Sequence, residues 1–95
     1  MTPEEKVRRA NKAAQLLNDE VYREAWASLD ANLMANWAAT NQADQQRRET
    51  LYFELTGLRA VKVRLERWVA EGREAAAEIE RTKQRATGKR TSATV

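Results

Sequence analysis

Residues 51–79 read LYFELTGLRAVKVRLERWVAEGREAAAEI, and the spacing of apolar residues in this stretch decides the fold. They fall at Leu51, Leu55, Leu58, Leu65, Val69, Ala76 and Ile79, and adding Lys62 and Gly72 completes a run of alternating gaps of four and three. Such a heptad rhythm lays one continuous stripe along one long helix. The preceding segment carries the same rhythm reversed. Backwards from Leu33 come Leu29, Trp26 and Tyr22, and forwards from Leu51 come Leu55, Leu58 and Lys62, with identical gaps. Facing residue numbers add to one constant, as two antiparallel helices folded about a turn near Asn41–Ala43 require. The expected fold is all-α, a long antiparallel helical hairpin that oligomerises through coiled-coil-like packing.

Working outward, Thr2-Pro3-Glu4-Glu5 is a compact helix start, with threonine as N-cap, proline at the first helical position and Glu5 closing a capping box. Val7, Ala10, Ala14 and Leu17 follow at helical spacing. Alanine buries little area, so this helix must lean on something larger than itself. Asn18-Asp19, followed by Glu20, resembles a fresh N-cap and first turn, and predicts a break in the first arm. A second helix then runs from about Glu20 to Ala38 and buries Tyr22, Trp26, Leu29 and Leu33. Thr40 to Asp44 is a polar turn, with Thr40 or Asp44 available to cap the third helix. That helix extends over residues 44–84, about 60 Å at 1.5 Å per residue, against about 54 Å for the two helices before it. The matching lengths place helix one, with its small residues, against the Val69–Ile79 half. The alternative is a helix one that swings away onto another subunit. The hairpin is expected to occupy residues 1–84, and residues 85–95 form a small, polar, basic tail expected to be flexible.

Composition narrows the chemistry. Ninety-five residues allow one domain with a modest core, so self-association or a partner is expected. There is no cysteine and no histidine, which removes disulfides, the usual zinc sites and histidine acid–base catalysis. No Gly-rich phosphate loop and no acidic metal-ligand spacing is present, since Gly57, Gly72 and Gly88 are isolated. No cofactor, metal or catalytic residue is expected, and the chain reads as a non-enzyme. No apolar run approaches the roughly 18 residues that span a bilayer. The expectation from composition is a soluble, intracellular protein with no membrane partner. The net charge of +3 is unevenly placed: Lys83, Arg85, Lys89 and Arg90 lie in a stretch without acids, while the body before it is nearly balanced. Basic tails attract polyanions, DNA included, through a screened and sequence-independent force, and also serve as plain solubilising ends.

Several residues invite a functional reading. Lys62 falls on the seam opposite Tyr22. It either snorkels past the ring or fixes the register, as buried polar residues do in coiled coils. Trp26 lies on the seam and reads as core. Trp37 and Trp68 lie one position off it, at an edge where two helices alone cannot cover them. Together with Tyr52 and Phe53 they are candidates for an oligomer or partner contact, because a helix apolar around more than one stripe has more than one neighbour. The other reading for the tryptophans is partial burial against the hairpin's own flank. Arg59, Arg64, Arg67 and Arg73, interleaved with Glu54, Glu66, Glu71 and Glu74, read as a solvated, salt-bridged surface rather than a nucleic-acid stripe.

Residues 14–72 resemble small helical proteins encoded in tailed-phage head and DNA-packaging gene clusters. The resemblance rests on Leu16-Leu17-Asn18-Asp19, Ala25-Trp26, Leu29, Trp37, Arg48-Glu49 with Leu51, Leu58 through Val61, Leu65 and Gly72. It implies a small-terminase-like oligomer that engages DNA or a larger virion or motor protein. No helix-turn-helix precedes the hairpin, so it implies head assembly or an accessory role as readily as DNA reading. The alternative from a different class is a small helical adaptor or inhibitor that docks on a host protein.

Overall fold

The computed structural model describes the backbone of residues 1–94 and the side chains of residues 1–87. Among them the chain forms three helices, α1 (Pro3–Asn18), α2 (Glu20–Ala39) and α3 (Gln45–Thr94), and no strand. Each start is set by a local cap. Thr2 Oγ1 accepts the Glu5 amide at 3.1 Å and donates to the Glu5 carboxylate at 3.1 Å, with Pro3 at the first helical position. The break between α1 and α2 is one extended residue, Asp19 (φ −68°, ψ 128°). Its amide donates to the Leu16 carbonyl and its carboxylate accepts the Tyr22 amide at 2.8 Å, so one residue ends α1 and caps α2. Asn18 holds the last turn of α1 by donating from Nδ2 to the Ala14 carbonyl at 2.9 Å.

At the far end, Asn41 Oδ1 accepts the Ala43 amide at 3.0 Å, and the Asn41 carbonyl accepts the Asp44 amide at 3.0 Å. Of the two expected caps, Asp44 is the one used, accepting the Arg47 amide at 3.1 Å. Thr40 instead turns its hydroxyl back onto the Asn36 carbonyl.

α3 is 50 residues long, about 75 Å at the helical rise. It sets the length of the molecule, whose extents are 78 × 26 × 17 Å. The helix passes the end expected at Gln84. The composition there explains this: Arg81, Lys83, Gln84, Arg85 and Ala86 are all good helix formers, and no proline intervenes. The expectations for Lys89 and Arg90 lie outside the described side chains.

Contacts between the helices run in opposite chain order. Arg48 meets Thr40, Arg59 meets Asp30, Leu58 meets Trp26, and Glu71 meets Arg9. The buried residues fall in two zones. One is built from Ala10 and Ala13 of α1 with Leu65, Gly72 and Ala75 of α3. The other is a single side chain, Leu51, only 1% exposed.

The buried stripe of α3 departs from the expected seam in its second half. Val69, Gly72 and Ile79 are covered as the seam requires, but Ala75 is buried in place of the exposed Ala76, and Trp68 is covered beside Val69. A straight helix of 3.6 residues per turn drifts about 20° per heptad from a 3.5-residue repeat. After the break at Asp19, α1 packs against this rotated face. A second difference concerns α2, which buries no residue completely; Leu29, expected in the core, is 52% exposed.

Candidate interaction surface

Each tryptophan carries a cation on its ring. The Arg9 guanidinium lies 4.6 Å from the centre of Trp68, Arg48 lies 4.3 Å from Trp37, and the Lys62 ammonium lies 4.5 Å from Trp26. Such contacts contribute about 0.5–1 kcal/mol at exposed sites. All three indoles are half-buried.

The positions follow from the helix faces. Trp26 points at α3 and donates its indole N–H to the Leu58 carbonyl at 3.3 Å. Lys62, expected opposite Tyr22, is exposed and turns its ammonium onto Trp26 instead. Lys62 borders the cleft at the break, where its ammonium reaches the indole face. Tyr22 keeps its ring half-buried, and its hydroxyl oxygen is sequestered without a hydrogen-bond partner. It borders a 550 Å³ cleft at the break, shared with Leu17, Asn18, Trp26 and Lys62.

At the turn end the structure brings together three of the four candidate contact residues. The Trp37 and Tyr52 rings are 6.1 Å apart and tilted, and Tyr52 and Phe53 meet edge-on at 5.9 Å. Arg48 clamps this cluster, stacking on Trp37 while donating to the Thr40 carbonyl at 3.1 Å. That bond satisfies one of the carbonyls left open at the end of α2. Tyr52 and Phe53 remain outward and exposed. Trp68 is separate from them, at the α1 end, under Arg9.

The charged surface of α3 is arranged between helices rather than along one. Arg9 pairs with Glu71 at 2.9 Å and Arg59 pairs with Asp30 at 3.0 Å, each joining α3 to a different neighbour. Arg9 and Asp30 were not singled out by sequence, and Arg48 entered only through the Arg48-Glu49 pair. No spacing rule marks them, because long side chains choose partners only once the helices are placed. Lys83 and Arg85 are exposed.

The α2–α3 half leaves several large apolar side chains open. Val21, Leu29 and Met34 of α2 are exposed, as are Tyr52, Phe53, Val61 and Val63 of α3. Among the described residues no cluster of acidic side chains is placed to hold a metal, and no helix is long and apolar enough to cross a membrane. Comparison with family models, curated proteins and solved structures returns no match.

Proposed function

We propose that this chain is a non-enzymatic assembly protein: an antiparallel helical hairpin that self-associates and engages a larger protein, as in phage head assembly or DNA packaging. One observation carries the interaction reading, the row of large apolar side chains left open along the α2–α3 half. A monomer that kept this surface in water would forgo a burial worth about 25 cal/mol per Å². The phage setting rests on the sequence resemblance of residues 14–72. Light scattering and native mass spectrometry at tens of micromolar test the reading. A defined multimer is expected, and a strictly monomeric protein refutes it. DNA contact through Lys83, Arg85, Lys89 and Arg90 belongs to the same proposal. It requires binding that weakens steeply with salt and disappears when residues 83–95 are deleted.

A second reading, a small adaptor docking on a host protein, is favoured by the compact Trp37–Tyr52–Phe53 cluster at one tip. Aromatic clusters of this kind act as binding hot spots. This reading requires a one-to-one complex that Trp37→Ala abolishes.

A further inference from the structure

α3 carries a second heptad stripe on the side turned away from Leu51, Leu55 and Leu58. It runs Glu49, Phe53, Thr56, Ala60, Val63, Arg67, with gaps of four, three, four, three and four. All six residues are exposed, Phe53 by 68% and Val63 by 58%. Among the described residues neither Glu49 nor Arg67 has an ion-pair partner. The stripe is palindromic in chemistry. An apolar and small centre is closed by an acid at one end and a base at the other, at equal distances from Leu58.

We propose that this stripe is the interface with a second copy of the chain, α3 lying antiparallel on α3 about a two-fold axis at Leu58. The inference rests on the oligomeric reading above and names its surface. In this register Glu49 of each copy faces Arg67 of the other, Phe53 faces Val63, and Thr56 faces Ala60. A two-fold interface must be self-complementary in this sense, each residue meeting its counterpart's partner twice. The competing registers are worse. Parallel pairing sets Glu49 against Glu49 and Arg67 against Arg67. An antiparallel slip by one heptad sets Glu49 against Glu74, Thr56 against Arg67, and Phe53 against Ala70. Like charges face to face discriminate strongly against wrong pairings.

The flanks fit as well. Gly57 lies beside the axis on one side; nothing of its own chain lies within 4 Å of a Cβ position there, and the lack of a side chain favours close approach of the second copy. On the other side Arg59 comes near its own symmetry mate, and Asp30, at 3.0 Å, offsets that charge within each chain.

Charge reversal tests the proposal on the full chain by sedimentation equilibrium. Glu49→Arg alone creates two base–base contacts, and Arg67→Glu alone creates two acid–acid contacts, so each weakens self-association roughly tenfold or more. An equimolar mixture of the two variants restores both attractions and returns the affinity to the wild-type range as a heterodimer. The double variant E49R/R67E also self-associates, because its pairs are merely inverted. Circular dichroism confirms that each variant keeps its helix content. If wild type associates but the single variants associate equally well, or the mixture shows no rescue, this interface is wrong and the oligomeric reading survives. If wild type is monomeric, both fall.

Discussion

The two halves of the molecule use α3 in opposite ways. Along residues 65–79 α3 meets α1 through small side chains, and Ala10, Ala13, Gly72 and Ala75 vanish almost entirely from the surface. Along residues 51–63 it meets α2 through large ones, yet Leu51 alone is fully covered, while Leu29 and Val61 stay in water. Burial here follows closeness of approach rather than hydrophobicity. Small residues let two helix axes come together and seal the contact, whereas large ones between only two helices hold them apart and leave their own flanks wet. Among the described residues the closed half leaves Met1 and Leu16 as its exposed large apolar side chains. The open half has material left over.

The largest expected effect breaks the open half at its one sealed point. Leu51→Ala should cost about 2–5 kcal/mol, the usual penalty for emptying a buried leucine site. Leu29→Ala, at a position already half in solvent, should cost well under half as much. Urea denaturation of both variants measures the contrast. Equal losses would mean that α2 packs far more tightly than its exposure indicates.

The two described glycines of α3 sharpen the comparison, because one substitution should act with opposite sign in the two halves. At Gly72 a Cβ would overlap the Ala10 Cβ and come within 3.3 Å of the Lys6 carbonyl, both fixed to the α1 backbone. Gly72→Ala should therefore push α1 away and destabilise by about 1–3 kcal/mol, even after the gain in helix propensity. At Gly57 the space is open, and Gly57→Ala should stabilise by roughly 0.5–1 kcal/mol. Thermal unfolding of dilute protein reads both signs. Hydrogen exchange adds that only Gly72→Ala should lower protection in α1.

What was legible in the sequence was local. The caps at Thr2, Asp19 and Asp44 and the Asn41 turn satisfy backbone groups within a few residues, so the amino acids themselves declare them. The placement of helix one against the Val69–Ile79 half was also readable, from the matching lengths of the two arms, with a helix one swung onto another subunit as the alternative. The rotated stripe was not, because Ala75-Ala76-Ala77 offers three identical candidates and only the placement of α1 chooses among them. The partner of Lys62 was missed for a related reason. Tyr22 and Trp26 are one turn apart on the same face, and a four-carbon stem reaches either. Helix length was underestimated because the basic segment after Gln84 lacks a stripe, and helix propensity continues where amphipathicity stops. For the candidate contacts, aromatic surplus marked Tyr52 and Phe53, but nothing marked Arg48 as the clamp beside them.

The smallest effect separates the halves by their electrostatics. Arg9–Glu71 ties α1 to α3, and Arg59–Asp30 ties α2 to α3; the first pair is 30% and 40% exposed by side chain, the second 50% and 23%. Screening by water limits each to about 0.2–1 kcal/mol. Arg9 also stacks on Trp68, and its Nε is sequestered without a partner, so its removal takes away a cation–π contact while relieving an unsatisfied donor. Double-mutant cycles strip out such side effects, because they cancel between the single and double variants and only the coupling remains. The two couplings should be of similar size in low salt. In high salt both should shrink, and Arg59–Asp30 more, since its arginine is the most open of the four groups. A coupling of several kcal/mol at Arg9–Glu71 would contradict this ranking and would mean that the closed half is held by charge rather than by the fit of Ala10 against Gly72.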